Sequence, residues 1–252
     1  MRFISKQINR RIRRTLIFSI LKNVKRYFSY NDNEDNLIYI HIGKCGGSSL
    51  GQAINESEII KKRFKKITTI HLSKPPILKK ARYLIVIRDP IERSLSAFNW
   101  RYKNVVEGSL PKGEYIKDYK VLKKYGSLNN LADCLYINGN LNLNVAKEFK
   151  TIRQLNEDIT FYLEDLIKKI KKEQIFCVLS QETLNEDIKK YLGNTTVSRI
   201  NENSKHTDLN KKHLTANAIY NLKMFLYEDY EIINRLLEIN CKPSESREDF
   251  LW

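Results

Sequence analysis

The sequence predicts an α/β fold in which helices flank a central parallel sheet. Four short apolar runs, rich in β-branched residues, have the length and composition of buried strands. Three of the runs are followed by a polar or glycine-rich turn and then by a stretch compatible with a helix. This alternation is typical of parallel strands joined by crossover helices. The predicted strands cover residues 37–42, 66–70, 84–87 and 174–179.

The length and charge of the chain limit the possible organisation. Its 252 residues, 42% of them hydrophobic, suit one domain with an N-terminal extension, and we expect that domain to span residues 31–252. The chain has 45 basic and 29 acidic side chains, a net charge of +16. This excess favours an anionic partner, such as a nucleotide, a polyanionic glycan, nucleic acid or an acidic membrane.

Residues 1–30 are predicted to form a basic amphipathic helix. They hold nine basic residues and no acidic one, and apolar residues recur at every fourth position from Ile4 to Phe28. The longest uncharged stretch, residues 15–21, is too short to span a bilayer, and no signal-peptide cleavage site follows it. We therefore expect a cytoplasmic protein without a transmembrane helix. Whether the segment packs on the domain or a partner, or lies on an anionic membrane, is left open.

The first predicted strand runs into a glycine-rich turn, HIGKCGGSS, at residues 41–49. Gly46 and Gly47 let the backbone approach an anion closely, and Ser48 and Ser49 can open a helix whose N–H groups point at it. We expect this helix to span residues 47–60. Lys44 adds a full positive charge. The lysine precedes the glycines, which is not the order of the common ATP or GTP loop. The turn therefore predicts a phosphate-binding site of another kind.

A second motif, RDPIERSLS at residues 88–96, follows the third predicted strand. Arg88 stands at the carboxyl end of that strand, and Pro90 is placed to begin a helix. Ser96 lies eight residues after Arg88, a little over two helical turns. Arg88 and Ser96 therefore form a second candidate anion site. The second predicted strand ends at His71, so His71, Lys44 and Arg88 are expected at one edge of the sheet.

Together the two motifs resemble those of the sulfotransferases that use 3′-phosphoadenosine 5′-phosphosulfate (PAPS), especially the carbohydrate sulfotransferases. Their first loop reads roughly HIPKTGGTS and their second motif RDPxxRxxS. The resemblance implies a P-loop-like three-layer fold and a donor site without a required metal. Residues 44–49, including Cys45, would hold the 5′-phosphosulfate, and Arg88 and Ser96 the 3′-phosphate. Gly43 and Cys45 depart from the family's proline and threonine.

The resemblance also implies roles outside the two motifs. His71 would be the catalytic base, with Lys44 as the second catalytic residue, and Ser204 and Lys205 would add donor contacts from a late loop. An acidic glycan is the leading acceptor, while a simpler glycan, a protein tyrosine or a small alcohol stays open. Residues 99–150 are the candidate acceptor-binding insertion because they interleave lysines with aromatic residues, namely Trp100, Tyr102, Tyr115, Tyr119, Tyr125 and Tyr136.

The four cysteines have neither paired spacing nor a C-x-x-C, so neither a disulfide nor a zinc site is expected. Cys45 lies beside Lys44 and a helix start, a setting that lowers the pKa of a thiol and makes it reactive. The other interpretation is a small residue tolerated in a turn. For Glu182, after the fourth predicted strand, we favour a carboxylate at a helix N-terminus over a role in the site.

Two other function classes share some of these features. A nucleotide-dependent small-molecule kinase would also use a phosphate loop, but the order of the loop is wrong for it. A non-catalytic binder of nucleic acid or anionic membrane would depend on residues 1–30. Its binding would fall steeply with salt and would survive substitution of Lys44 and Arg88. We expect no specific nucleic-acid partner.

Overall fold

The computed structural model describes residues 30, 32–108, 110, 113–193 and 213–240. Its central sheet has four parallel strands, β1 (Asn36–Ile40), β2 (Lys66–Ile70), β3 (Arg82–Ile87) and β6 (Ile175–Ser180), in the order β2-β1-β3-β6. A separate antiparallel hairpin is formed by β4 (Tyr136–Ile137) and β5 (Asn140–Leu141). The predicted α/β fold with a central parallel sheet is therefore confirmed.

Helices flank the sheet and lie in the intervals between its strands, except between β2 and β3. Those in the first part of the chain are α1 (Gly47–Glu56), α2 (Glu58–Arg63), α3 (Pro90–Arg101) and a π-helix (Tyr102–Glu107). The middle of the chain contributes α4 (Ile116–Tyr125), α5 (Leu128–Asp133), α6 (Leu143–Thr151) and α7 (Ile159–Ile167). A 3₁₀ turn (Lys172–Gln174) precedes β6, and α8 (Leu184–Leu192), α9 (Ala216–Phe225) and α10 (Tyr227–Asn240) follow it.

The order of the strands creates a crevice at the carboxyl edge of the sheet. The chain passes from β1 to β2 on one side and then crosses to β3 on the other side of β1. The direction of winding thus switches between β1 and β3, and parallel α/β sheets bind ligands outside such a switch point. The turn after β1 and the residue after β3, Arg88, lie at this edge.

The burial of β1 and β3 explains why these strands could be predicted from the sequence. All five residues of β1 are buried, as are five of the six in β3, so both appear as continuous apolar runs. A second apolar cluster lies away from the sheet and is built from α3 to α6 and α9, with Phe98, Leu122 and Leu222 fully buried in it. The helical part of the chain between β3 and β6 therefore has a core of its own.

One predicted helix is wrong in its extent. We expected a single helix over residues 47–60, but the chain leaves the helix at Ser57 and α2 begins after it. The Ser57 hydroxyl accepts from the Ile60 N–H (3.2 Å) and donates to the backbone oxygen of Leu192 (2.6 Å). The side chain thus caps α2 and ties it to the end of α8.

Two predictions lie outside the described residues. Only Tyr30 of the predicted N-terminal helix is described, and Ser204 and Lys205 fall in an undescribed stretch. Among the described helices, none combines the length and apolar character needed to cross a membrane.

Candidate active site

Two residues in the turn after β1 have a left-handed backbone conformation. Lys44 has a φ of 72° and Gly46 a φ of 75°. Gly46 is the N-cap of α1, and no side chain caps the helix there. The first N–H groups of a helix have no acceptor within it, and they carry the positive end of its dipole. The start of α1 therefore offers unpaired donors next to the charge of Lys44.

Gly47 is required because His41 packs directly against it. A Cβ added to Gly47 would lie 1.9 Å from both Cδ2 and Nε2 of His41. The Tyr39 hydroxyl donates to the backbone oxygen of Gly47 (3.1 Å), and the Tyr39 ring lies parallel to the His41 ring, with their centroids 5.8 Å apart. The glycine therefore lets the end of β1 and the start of α1 approach more closely than any other residue would allow.

Two arginines from the second motif bind consecutive carbonyls of this turn. Arg88 donates its Nη1–H to the Lys44 oxygen (3.2 Å), and Arg93 donates its Nε–H to the Gly43 oxygen (3.0 Å). Arg93 is only 1% exposed, and its other donors bind the backbone oxygens of Gln154 and Glu157. Because both carbonyls are occupied, their negative ends are partly neutralised and the turn favours an anion.

One hydrogen-bond donor of the Arg88 guanidinium has no partner among the described residues. Its Nη2 lies 3.4 Å from the Glu92 carboxylate, but its Nε is buried without a hydrogen-bond partner among the described residues. A buried donor that lacks an acceptor is unfavourable and is frequently completed by a ligand or water. The Arg88 Nε–H therefore has hydrogen-bonding capacity that the described residues do not use.

Lys44 is cationic in an environment that disfavours its charge. Partial burial, followed by repulsion from Arg88 and Arg93, lowers the pKa of Lys44 to about 8. None of the ion pairs within the described part of the chain includes Lys44, and its Nζ lies 5.4 Å from the centre of the Trp100 ring. A bound anion would supply the missing compensation.

Ser96 lies on the side of α3 that borders this turn. Glu92, Ser96 and Trp100 are spaced four residues apart and so share one face of the helix. Arg88 contacts Glu92 at one end of this row, and Lys44 contacts Trp100 at the other. The half-exposed Ser96 thus stands between the positions that contact the two cations.

His71 is exposed and is held by His41. Its Nδ1 lies 3.2 Å from the backbone oxygen of His41, and the two rings stack with centroids 4.3 Å apart. A carbonyl oxygen only accepts, so Nδ1 carries the proton and Nε2 of a neutral ring keeps its lone pair. Burial, then the charge of His71, lowers the pKa of His41 to about 4, so His41 is neutral near pH 7.

The expectation of a reactive Cys45 is wrong. Its side chain is fully buried, and burial raises the pKa of the thiol to about 12, although Arg93 and Arg88 oppose that shift. The position is therefore a small buried residue in the turn. The side chain of Ser48 is not among those described, while Ser49 is partly buried in the first turn of α1.

Some contributors to the site received no role from the sequence. Arg93 was visible only as the second arginine of the RDPIERSLS motif, and its contact with Gly43 depends on packing between distant segments. Glu182 precedes α8, as favoured, and its Oε1 also accepts from the Asp89 N–H (3.0 Å). It therefore fixes the backbone next to Arg88.

No cluster of three or more His, Cys, Asp or Glu side chains in the described residues is arranged for a metal ion.

The fold and the site together place Lys44, Arg88 and the start of α1 at the switch point of a parallel sheet. The chain belongs to the sulfotransferase family, because the model of the "Sulfotransferase family" matches residues 26–232. The matched part includes both motifs and the whole parallel sheet, and the chemistry of the family is transfer of a sulfuryl group. Neither the curated proteins nor the solved structures gave a significant match.

Proposed function

We propose that this protein transfers a sulfuryl group from PAPS to a hydroxyl of a glycan. The observation that carries the proposal is the contact between the two motifs, in which Arg88 binds the backbone oxygen of Lys44. PAPS has a phosphosulfate at one end of its adenosine and a 3′-phosphate on the ribose. A site for it needs two positive centres at one crevice, as Lys44 and Arg88 provide.

The residues of the turn fit the 5′-phosphosulfate. Side chains of Gln181, Leu184 and His41 pack against Gly46 and Gly47, and α1 begins there without a side-chain cap, so its first N–H groups would be donors to the anion. Lys44 and the backbone of residues 45–49 would bind the anionic oxygens, with the hydroxyls of Ser48 and Ser49 nearby in sequence. The Cys45 thiol is fully buried, so its part is limited to the backbone.

The second motif fits the 3′-phosphate. Arg88 has a buried Nε–H without an acceptor among the described residues, and Ser96 lies on the adjoining face of α3. Ser204 and Lys205 are proposed as further donor contacts on the resemblance of their loop alone. A guanidinium suits a phosphate because its N–H donors match the spacing of two phosphate oxygens.

His71 is proposed as the base that accepts the proton of the acceptor hydroxyl. The donor supplies an activated sulfuryl group: a bond forms from the acceptor oxygen to sulfur while the bond from sulfur to the 5′-phosphate oxygen breaks. The hydroxyl proton passes to Nε2 of His71, which the hydrogen bond at Nδ1 leaves as the acceptor. Lys44 and the first N–H groups of α1 stabilise the negative charge that grows on the leaving oxygen.

Residues 99–150 are proposed to bind the acceptor. The support is that Trp100, near the start of this segment, lies against Lys44, so the segment begins at the proposed donor site. The net charge of +16 would favour an acidic glycan as the acceptor. The choice of a glycan over another hydroxyl rests on the resemblance of the two motifs.

Thermal unfolding with nucleotides tests the donor assignment. The product 3′,5′-bisphosphoadenosine should raise Tm much more than AMP does, because only the bisphosphate engages both positive centres. Equal stabilisation by the two nucleotides would overturn the proposal of a 3′-phosphate site. Incubation of candidate acceptors with labelled donor then identifies the acceptor, and label in a phosphoryl position from ATP would indicate a kinase instead.

Substitution of His71 tests the base. His71→Ala should keep the affinity for 3′,5′-bisphosphoadenosine and lose transfer by about 100-fold or more, the usual contribution of a positioned base. His213→Ala is the matched control, since His213 is also exposed but lies in the segment before α9. A His71→Ala variant with full activity would assign the base to another residue.

A further inference from the structure

Trp100 makes a contact with the Lys44 side chain that neither motif accounts for. It lies near the carboxyl end of α3, and the ammonium of Lys44 stands 5.4 Å from the centre of its ring. This distance is within the range of a cation–π interaction, which is strongest with tryptophan. The indole is partly exposed, so the contact lies at the border of the crevice.

We propose that Trp100 is a positioning residue whose indole face holds the Lys44 ammonium beside the phosphate-binding turn. The contact itself is a property of the protein without ligand. Its effect on transfer rests on the proposed function, in which Lys44 binds the phosphosulfate. Fluorescence tests the contact, and a double-mutant cycle tests its effect on donor binding and transfer.

The charges around Lys44 explain why an aromatic ring suits this place. Arg88 after β3 and Arg93 on α3 repel Lys44. The other titratable groups of residues 41–49 are the buried Cys45 thiol and His41, which is neutral near pH 7. The carboxylate on this face of α3 is Glu92, and it is paired with Arg88. A long lysine side chain without an ion pair would otherwise sample many rotamers.

An indole also has an advantage over a carboxylate as a partner. A carboxylate would neutralise Lys44 and would repel the anionic donor from the same place. The ring attracts the ammonium through its quadrupole and leaves the full positive charge available. Arg101 contacts the same indole at 5.9 Å, but Arg101 is buried and paired with Asp118, so it is a fixed neighbour.

Tryptophan emission tests the contact without any ligand. The chain has two tryptophans, Trp100 and Trp252, so Trp252→Phe leaves Trp100 as the only indole. Its emission should change between about pH 6 and about pH 9.5 with a midpoint near 8, as Lys44 loses its proton. Lys44→Met in the same background should remove this transition. Identical pH curves with and without Lys44 would overturn the proposal.

A double-mutant cycle tests the consequence for the donor. Trp100→Leu should weaken binding of 3′,5′-bisphosphoadenosine and lower kcat/KM by about 2-fold to about 30-fold, with Trp100→Phe in between. In the Lys44→Met background, Trp100→Leu should cost no further affinity, whereas a merely structural role would cost the same in both backgrounds. If the emission transition is present but the bisphosphate fails to bind, the donor assignment is wrong and the contact stands.

Discussion

The Arg88 guanidinium donates a hydrogen bond to the backbone oxygen of Lys44 over 3.2 Å. The two residues are 44 positions apart in the chain, and they meet because β1 and β3 are neighbours whose carboxyl ends share one edge. The two sequence motifs therefore form one continuous positive site. Substitutions at either motif should affect the binding of a single ligand.

Arg88→Met should remove the preference for a 3′-phosphate. Hydrogen bonds to charged groups contribute about 1.5–3 kcal/mol, so affinity for 3′,5′-bisphosphoadenosine should fall about 10-fold to about 150-fold. Affinity for AMP should change much less. Calorimetric titration of both nucleotides against wild type and variant measures the difference.

Arg82→Met is the matched control for Arg88→Met. Arg82 begins the same strand at the opposite edge of the sheet, where it is 3.6 Å from Glu34. This variant should bind both nucleotides as wild type does. A loss of preference in the control, or its retention in Arg88→Met, would contradict the assignment of Arg88.

Gly47→Ala should disrupt both the fold of the turn and donor binding. The new Cβ would meet the His41 ring at 1.9 Å, so the ring or the start of α1 must move. Overpacking of this kind typically costs about 1–3 kcal/mol. Tm and the affinity for 3′,5′-bisphosphoadenosine should both fall, as measured by thermal unfolding and titration.

Gly51→Ala separates this clash from the general effect of replacing a helical glycine. Gly51 is in the same helix, and an added Cβ there meets nothing within 4 Å. Alanine is the better helix former, so this variant should gain about 0.5–1 kcal/mol and bind normally. If both variants behave alike, the close packing of His41 on Gly47 is not what makes the glycine necessary.

β1 and β3 were predictable because their buried residues form runs of apolar residues in the sequence. The prediction of 66–70 for β2 matches the structure, and the largely apolar β1 and β3 differ from their predicted bounds by no more than two residues at either end. The helix break at Ser57 was not predictable, since its hydroxyl binds Leu192, which is 135 residues away. Long-range contacts of this kind leave no periodic signal.

In the site, too, some residues could be predicted from the local sequence, whereas others depend on contacts between distant segments. The two motifs placed Lys44 and Arg88 after strands, and the predicted second strand placed His71 at its end. The sheet order brings those strand ends to one edge. The role of Arg93 was missed because it depends on contacts with Gly43 and the 154–157 segment. The burial of Cys45 was missed because it depends on the assembled core around the sheet. A motif identifies which residues are unusual, whereas only the assembled core decides which of them are accessible.

Native Cys45 should resist alkylation. Its thiol is fully buried with its pKa raised to about 12, and Cys177 is likewise buried, while Cys134 is exposed. Iodoacetamide should therefore label Cys134 rapidly and the two buried thiols only after denaturation. Mass spectrometry of peptides from the native and denatured protein measures the ratio. Labelling of Cys45 at the rate of Cys134 in the native protein would contradict the structure.

Binding of the bisphosphate should weaken as pH rises through about 8. The pKa of Lys44 is lowered from 10.5 to about 8, so above that value the ligand-free protein has lost the charge that attracts the anion. Affinity should then fall by up to about tenfold per pH unit, because binding requires the proton to be restored. Lys44→Arg, which stays charged, should give nearly constant affinity from about pH 7 to about pH 10.

The lowered pKa of Lys44 also makes the free energy of unfolding depend on pH. Between about pH 8 and pH 10.5 the unfolded chain holds the Lys44 proton and the folded chain does not. The unfolded state binds more protons, so the free energy of unfolding contributed by Lys44 rises with pH across this window. Denaturant unfolding of wild type and Lys44→Met should therefore converge as pH increases, with the variant more stable at pH 7. A difference that stays constant across the window would show that Lys44 carries no penalty for its charge in the folded protein.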